Sequence, residues 1–574
     1  MARSGLKLLL VSPPAGRRQN MTVFDMSLIT DLQSDPTIGA GNFFHKLLER
    51  GVDTDRKTIH LDGSIELPSG EHVDQLSLSD IAQLSEFLAI IYRELGVAAK
   101  DPVALYFDNT IHYFVHFIAI TRLGALPVFV NGNMASEVSA EFIRRTGAVL
   151  VLTTNSRLQQ LQEALDSIPA VIDVFTVEQV CKFGAPLRRE TSAIPKYRHD
   201  AKDPVLLAHT SGTTGIPKAV QFNHEGFYFG VKQQLHKQVG SRILTVLPHS
   251  HASDLSILMS SLLRGCEVLV LQDQAPDPVL DAIANFKPDL IAAFPKSYVD
   301  LCRYELDQYD LSSISYWLST GDANHEPHIR KLIKHGSHKK NGEQHKGSIF
   351  IDNLGSSEFG FAMFRNIHKP GSKNYGRNIG RPFGWVDACV LGDGGDSLPP
   401  YQVGKLGVKS SSVTTGYWNN SLLTEKNRLA GYWLTGDLAF KDSEGAFFHV
   451  DRVTDQIMTS EGILYSCQAE ELILCSFQEI FDCSIVGVDT NNCISSALIT
   501  VEPVTDEIDQ VKLLENINQL LRELGLPAIE KIVLQSAEMH LGPTGKKLKR
   551  VLRGELSGMT AAVVKKRNAA AVPS

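Results

Sequence analysis

The chain has 574 residues, enough for roughly three or four domains or subdomains, and this length excludes a small scaffold held by disulfides. Hydrophobic residues make up 43% and charged residues 21%, which is typical of folded globular proteins and excludes wholesale disorder. The formal charge of −8 gives no electrostatic basis for binding nucleic acid or acidic lipid, so neither is expected as a partner. The eight cysteines form no C-x-x-C pair, which favours reduced thiols in a cytoplasmic protein.

The first twenty residues, 1–20, are expected to be a disordered leader. Their apolar run, Leu8 to Val11, is shorter than the core of about 7 to 15 residues that a secretory signal needs. No apolar run elsewhere approaches the roughly 20 residues required to span a bilayer. We therefore expect no membrane span.

Apolar strand-like runs alternate with longer amphipathic stretches between about residues 80 and 300, beginning with PVALYF at 102–107. This alternation is typical of a parallel sheet covered by helices. The alternation starts again at RILTVLP, residues 242–248, so the sequence predicts two α/β subdomains.

The pattern changes from about 376 to 450, where glycines interrupt short strands and predict a small β-barrel-like subdomain. Helices and strands alternate again after Arg452. We expect an α/β protein in which a large N-terminal domain is hinged to a small C-terminal α+β domain. The expected boundaries are 21–450, 451–560 and, for a tail, 561–574.

The segment KHGSHKKNGEQHKG at 334–347 is basic and rich in histidine. Its histidines have no regular spacing, so they do not predict a metal site. We expect a solvated loop without a chemical role.

The segment from His209 to Lys218, HTSGTTGIPK, follows a strand-like run and places two glycines among hydroxyl residues. Such a loop can surround phosphate oxygens with backbone N–H groups and hydroxyls, and the closing lysine adds positive charge. A Walker A loop would require lysine directly after glycine, whereas Lys218 follows Ile-Pro. The sequence thus favours a polyphosphate site of a different kind from that of kinases and motor ATPases.

Four further segments follow in order: LGSSE at 354–358, WLTGD at 433–437, DRVTDQI at 451–457 with Glu470, and PTGK at 543–546 with Lys549 and Arg550. Together with HTSGTTGIPK they resemble the motifs of the adenylate-forming superfamily, which comprises acyl- and aryl-CoA synthetases, nonribosomal peptide synthetase adenylation domains and firefly luciferase. The resemblance implies an enzyme that uses ATP and Mg²⁺ to convert a carboxylic acid into an acyl-adenylate with release of pyrophosphate.

The resemblance also assigns roles to individual residues. It implies catalytic roles for Lys546, Arg452 and His251; phosphate binding by Thr210, Ser211, Gly212, Thr213, Thr214, Gly215 and Lys218; adenine or ribose binding by Gly321, Asp322, Asn353, Leu354, Gly355, Ser357 and Asp437; Mg²⁺ binding by Glu358; and a hinge at Thr454.

These residue types suit the implied chemistry. A carboxylate such as that of Glu358 is a hard oxygen ligand of the kind Mg²⁺ prefers. The carboxylate of Asp437 can accept two charge-assisted hydrogen bonds from ribose hydroxyls. The cations of Lys546 and Arg452 can offset the negative charge that builds up at the α-phosphate.

The sequence departs from the family pattern at several positions. Leu354 replaces the aromatic residue that usually stacks on adenine, His209 replaces a tyrosine, and Ser357 replaces a threonine. Glu461 stands where a glycine usually admits the pantetheine thiol, and Met458 stands where relatives often carry a lysine or polar residue. The carboxylate of Glu461 would repel a thiol carrier that bears phosphate.

The function expected from the family is transfer of the activated acid to a thiol, either CoA or the pantetheine of a separate acyl carrier protein. The departure at Glu461 keeps a second hypothesis open, in which the acyl group or another activated oxyanion passes to an amine or other non-thiol acceptor. A third hypothesis is a degenerate nucleotide-binding regulatory protein. Retention of Lys218, Glu358, Asp437, Arg452 and Lys546 together argues against the third.

Overall fold

The computed structural model describes residues 23–169, 172–184, 194–210, 215–237, 239–489, 495–505, 507–535, 541–542 and 545–557. The expected leader at 1–20, the expected tail at 561–574 and the phosphate-loop residues Ser211, Gly212, Thr213 and Thr214 lie outside the described residues.

The elements before residue 355 are, in chain order, α1 (Met26–Ser34), α2 (Phe43–Leu48), β1 (Lys57–Glu66), β2 (His72–Ser77), α3 (Leu78–Glu94), β3 (Pro102–Tyr106), α4 (His112–Arg122), β4 (Leu126–Val130), α5 (Ser136–Thr146), β5 (Leu150–Thr153), α6 (Asn155–Asp166), β6 (Asp173–Thr176), α7 (Val177–Gly184), β7 (Pro204–His209), β8 (Ala219–Asn223), α8 (His224–Gln234), β9 (Arg242–Thr245), α9 (Ala252–Arg264), β10 (Glu267–Val270), α10 (Pro276–Phe286), β11 (Leu290–Ala293), α11 (Pro295–Leu301), β12 (Tyr316–Thr320), α12 (Glu326–Ile333), β13 (Ser337–Lys340), β14 (Glu343–Lys346) and β15 (Ile349–Leu354).

The remaining elements are β16 (Phe364–His368), β17 (Asn378–Pro382), β18 (Asp387–Leu391), β19 (Gly404–Lys409), β20 (Gly416–Tyr417), α13 (Ser421–Lys426), β21 (Arg428–Leu429), β22 (Tyr432–Lys441), β23 (Phe447–Arg452), β24 (Ile457–Thr459), β25 (Gly462–Leu464), α14 (Ser466–Ser476), β26 (Ile480–Asp489), β27 (Ser495–Pro503), α15 (Gln510–Glu523) and β28 (Lys531–Leu534).

Most of the described strands belong to two large sheets, and helices connect many of them, so the predicted mixed α/β class is confirmed. The first sheet has the strand order β20-β8-β7-β4-β3-β5-β6, and its central strands are parallel. The second runs β18-β19-β22-β23-β17-β16-β15-β12-β11-β9-β10-β1-β2, so the antiparallel strands after residue 376 continue a parallel sheet. All five residues of β4 are buried, as expected where helices cover both faces of a parallel sheet.

Local sequence explains where key helices begin. Helix α3 starts with a capping box in which the Ser77 hydroxyl accepts from the Asp80 N–H and the Asp80 carboxylate accepts from the Ser77 N–H. Helix α9 starts at the Pro-His-Ser-His segment, where His251 caps the first turn, and it ends at Gly265 with φ of 72°. The cap of α9 fixes the loop that carries His251, a candidate site residue.

The segment 334–347 corrects one expectation, because it is a β-hairpin rather than a loop. Strands β13 and β14 pair in antiparallel register around Asn341 and Gly342, whose φ angles of 53° and 86° suit a two-residue turn. The buried His338 ring contacts the carbonyl of Gly347 at 2.6 Å. The Asn-Gly pair was the local indication of this turn.

The C-terminal segment, defined as residues 457–557, contains a three-stranded sheet in the order β26-β27-β28 and its own apolar core. It contacts the helices beside the second sheet: Nδ1 of His325, which precedes α12, lies 2.6 Å from Oε2 of Glu471, and Arg303, which follows α11, pairs with Glu502. Within the described ranges, no helix is both long enough and apolar enough to cross a membrane.

Candidate active site

A cavity of about 440 Å³ lies between the second sheet and the C-terminal segment. Its wall brings together residues that lie far apart in the sequence and were predicted to act at the nucleotide, in catalysis or as the hinge: Gly321, Asp322, Asn353, Leu354, Gly355, Asp437, Arg452, Thr454 and Lys546. Ser357, Glu358 and His251 do not line this cavity.

Asp437 is a buried carboxylate held between two nitrogen groups. Its Oδ1 lies 3.3 Å from Nη1 of Arg452 and 3.5 Å from Nε2 of His449. Burial alone would raise the pKa of Asp437, but Arg452 and His449 outweigh it and hold the pKa well below its usual range. The group is therefore an ionised acceptor suited to hydroxyl donors.

Arg377 and His449 support this carboxylate, and the sequence motifs did not identify either of them. Nη2 of Arg377 lies 2.6 Å from Nδ1 of His449. Because the guanidinium can only donate, Nδ1 must accept, and a neutral His449 ring therefore carries its proton on Nε2, the atom that faces Asp437. Burial lowers the pKa of His449 and favours that neutral ring. Arg377 itself has φ of 66° and lies in the cavity wall.

Glu358 belongs to a second hydrogen-bonded chain. Its Oε1 accepts from the Tyr417 hydroxyl at 2.9 Å, and Oε2 accepts from the Ser356 hydroxyl at 2.8 Å. Nζ of Lys218 lies 3.5 Å from the same tyrosine oxygen and over its ring. Burial and Glu358 raise the pKa of Tyr417, so the phenol remains a donor. Tyr417 was missed in the sequence.

The ends of the phosphate loop pair with each other. The Lys218 N–H donates to the Thr210 hydroxyl at 3.1 Å, and the Thr210 N–H donates to the Lys218 carbonyl at 3.2 Å. Gly215 has φ of 129°, a conformation that side chains rarely permit. The two ends of the loop are therefore hydrogen-bonded to each other, and the Lys218 side chain points to Tyr417, the hydrogen-bond partner of Glu358.

His251 is buried, and its Nδ1 is engaged by the Ser253 hydroxyl at 2.8 Å and the Ser253 N–H at 3.2 Å. Burial, His209 and Lys546 all lower the pKa of His251, which keeps the ring neutral. Only Nε2 remains for a substrate. Asp254 instead binds the buried His249 ring at 2.8 Å and has a structural position.

Lys546 differs from the two lysines that follow it closely. Nζ of Lys547 pairs with Asp482 at 2.7 Å, and Nζ of Lys549 pairs with Glu470 at 2.7 Å. The side chain of Lys546 makes no hydrogen bond or ion pair with another described residue. Burial lowers the pKa of Lys546, while the carboxylates around the cavity oppose that shift.

The hairpin of β24 and β25 contains the residue that departs most from the family pattern. The Glu461 carboxylate accepts from the Ala528 N–H at 3.0 Å, and Gly462 takes φ of 128° with open space around it. Across the hairpin, Met458 pairs with Ile463, and both side chains are exposed. This surface is apolar and carries no basic side chain at either position.

Residues 56–418 match the sequence model of a protein family described as AMP-binding enzyme. The chain belongs to this family. Members of the AMP-binding enzyme family form adenylates with ATP, so the superfamily resemblance read from the motifs is confirmed. The carboxylate of Glu358, with neighbouring hydroxyls, provides the oxygen donors that Mg²⁺ of a bound nucleotide would require.

Relatives within the AMP-binding enzyme family differ in their reactions. The chain is 37% identical over 545 residues to a 3-aminoavenalumate diazotase of Streptomyces sp, covering 91% of this chain and 96% of the relative. It is 26% identical over 461 residues to 4-coumarate–CoA ligase 5 of Oryza sativa subsp. japonica, covering 78% and 82%. A solved anthranilate CoA ligase in complex with anthranoyl-AMP superposes with a TM-score of 0.79 at 17% identity, covering 92% and 99%.

Proposed function

We propose that this protein is an ATP-dependent diazotase, which activates nitrite as an adenylate and transfers its nitrogen to an aromatic amine. The observation that carries this proposal is the 37% identity, over nine-tenths of the chain, to a diazotase. Diazotisation adds a second nitrogen to an amine, and nitrite has the oxidation level that this addition requires. Aromatic amines are favoured as acceptors because alkyl diazonium ions lose dinitrogen rapidly.

The proposed reaction balances without an oxidant or reductant. A nitrite oxygen attacks the α-phosphorus of ATP, pyrophosphate leaves, and a nitrosyl-adenylate forms. The amine nitrogen attacks the nitroso nitrogen and AMP leaves with the nitrite oxygen that formed the bond. The resulting N-nitrosamine loses its amine protons, takes up protons on the nitroso oxygen and releases water to give the diazonium ion. One proton is consumed overall when pyrophosphate retains one.

The residues of the cavity support the first half-reaction. We propose that Asp437 binds the ribose hydroxyls, and that Lys546 and Arg452 stabilise charge at the α-phosphate. We propose that Lys218 binds phosphate and that Glu358 holds Mg²⁺, which would offset the charge of the nucleotide phosphates. The C-terminal segment is proposed to turn about Thr454 between the two half-reactions.

A thiol acceptor is the second candidate, and the likeness to 4-coumarate–CoA ligase favours it. Under this candidate a carboxylic acid is activated and passed to CoA or to carrier-bound pantetheine. The hairpin does not line the cavity, and we propose that the turn about Thr454 brings it to the acceptor. Its exposed pair Met458 and Ile463 then favours the amine, because it offers apolar surface to an aromatic ring and no cation to a phosphate-bearing thiol.

The deciding experiment measures pyrophosphate release from MgATP with nitrite, with carboxylic acids, and with neither. Each reaction is run with no amine, with 3-aminobenzoate or with the carboxylate-free 3-aminobenzamide, each with and without CoA, and products are identified by mass spectrometry using ¹⁵N-nitrite. We expect nitrite-dependent release and a diazonium ion that contains one ¹⁵N. Release that requires a carboxylic acid and yields a CoA thioester would instead support the second candidate.

The substitution Glu461→Gly tests the acceptor separately. We expect nitrite-dependent pyrophosphate release to stay within about twofold of wild type, because Glu461 is exposed and its hydrogen bond to Ala528 contributes only about 1 kcal/mol. When a carboxylic acid and CoA are supplied instead of nitrite and the amine, no CoA thioester is expected. The matched control Glu461→Gln keeps an acceptor for the Ala528 N–H. Rapid thioester formation by the glycine variant alone would contradict the amine assignment and show that the carboxylate blocks a thiol.

A further inference from the structure

Arg365 is a half-buried cation whose hydrogen-bond partners are neutral. It lies on β16 opposite Asn353 of β15. Its Nε donates to Oδ1 of Asn353 at 3.2 Å, and its Nη1 donates to Oε1 of Gln234 on α8 at 3.2 Å. The guanidinium lies 4.7 Å from the ring centre of Phe383. Two amides and an aromatic ring leave its charge uncompensated.

Arg365 differs from Arg452, another arginine near the cavity, in having no carboxylate partner among the described residues. Arg452 has the carboxylate of Asp437 at 3.3 Å, whereas no carboxylate among the described residues pairs with Arg365. Nη2 of Arg365 donates no hydrogen bond to another described residue. Burial lowers the pKa of Arg365 to about 10, which shows that the surroundings disfavour its charge. A half-buried cation without a carboxylate partner is stabilised when an anion binds.

Arg365 is not itself among the residues that line the cavity, and it is connected to the proposed reaction through a residue that is. Asn353, its hydrogen-bond partner, is in the cavity wall and directly precedes Leu354 and Gly355, which also line the cavity. On the side of Phe383 the environment is aromatic, since the Phe361 and Phe383 rings lie 6.2 Å apart. An aromatic ring bearing an anionic group would therefore meet apolar surface and a guanidinium together.

We infer that Arg365 binds a carboxylate on the acceptor, so that the preferred substrate is an aromatic amine that carries a carboxylate. The inference rests on the proposed diazotase function. A guanidinium offers parallel N–H groups that match the two oxygens of a carboxylate, and Nη2 is the donor not yet engaged. Asn353 and Gln234 would then orient the guanidinium rather than neutralise it.

The test compares 3-aminobenzoate with its neutral analogue 3-aminobenzamide, using wild type, Arg365→Met and Arg365→Lys. Binding is measured by calorimetry without nitrite, and the Michaelis constant is measured for each amine and for nitrite. With the carboxylate-bearing amine, we expect Arg365→Met to weaken binding and to raise the Michaelis constant by about 30-fold. With the neutral amide, both quantities should stay within about twofold of wild type. Arg365→Lys should be intermediate, because it keeps the charge and loses the fork.

The outcomes separate this inference from the proposed function. Wild type that binds both amines equally, or does not bind 3-aminobenzoate at millimolar concentration, would overturn the role of Arg365. A rise in the Michaelis constant for nitrite in place of the amine would also overturn it. Binding that depends on Arg365 without any diazonium product would keep the carboxylate site and reject the diazotase. If Arg365→Met is unfolded by circular dichroism, Arg365→Lys and Arg365→Gln supply the same comparison.

Discussion

Replacing Lys546 with alanine is expected to lower nitrite-dependent pyrophosphate release by about 100- to 1,000-fold, the range seen when a preorganised charge at a transition state is removed. Lys546 is without an ion-pair partner among the described residues, while Arg452 is occupied by Asp437. The lysine charge is therefore available for the charge that develops at the α-phosphate. The binding of ATP itself should change little, since Asp437 and the phosphate loop remain. Quenched-flow measurement of pyrophosphate and equilibrium ATP binding separate the two effects.

Matched lysine variants make this expectation specific. Lys531→Ala removes an exposed lysine of β28 and should leave the rate of pyrophosphate release unchanged. Lys546→Arg keeps the charge in a larger group and should retain part of the rate. Full pyrophosphate release by Lys546→Ala would assign adenylation to Arg452 and the phosphate loop alone. An equal loss of ATP affinity and rate would make Lys546 a ground-state phosphate ligand.

The sequence predicted those parts of the site that lie within short motifs. Asp437, Arg452 and Lys546 each stand in a segment whose residue types and order indicate nucleotide chemistry, and the fold brings them to one cavity. The supporting residues were not predictable in this way. Tyr417 is 59 residues from Glu358 and 199 from Lys218, so only the pairing of β20 with β8 reveals their contact.

In the segment 334–347, the composition predicted a loop, whereas two adjacent residues indicated a tight turn. The histidines and lysines of 334–347 suggested a solvated loop, yet Asn341 and Gly342 supply the φ angles of a tight turn and the flanking residues pair as strands. The same limit applies to Arg365. Its sequence neighbours mark a strand, and its unpaired charge follows only from the tertiary position of Asn353, Gln234 and Phe383.

The substitution Glu358→Gln is expected to raise the Mg²⁺ concentration needed for half-maximal pyrophosphate release by about 10- to 100-fold. A neutral amide is a weaker ligand for a hard cation than a carboxylate, and it presents one oxygen instead of two. The substitution also disturbs the hydrogen bonds that link residue 358 to Tyr417 and Lys218, because the amide replaces one accepting carboxylate oxygen with a donating NH₂ group. Saturating Mg²⁺ should restore much of the rate.

The control for the loss of these hydrogen bonds is Tyr417→Phe, which removes the hydroxyl that donates to Glu358 and leaves the carboxylate in place. If Glu358 acts through the metal, the phenylalanine variant should keep a Mg²⁺ dependence within a few-fold of wild type. If it acts mainly by holding Tyr417 and Lys218, both variants should weaken ATP binding equally and neither should respond to added Mg²⁺. The second pattern would remove Glu358 from the metal site, because loss of a ligand and loss of a positioning contact differ in what excess metal can repair.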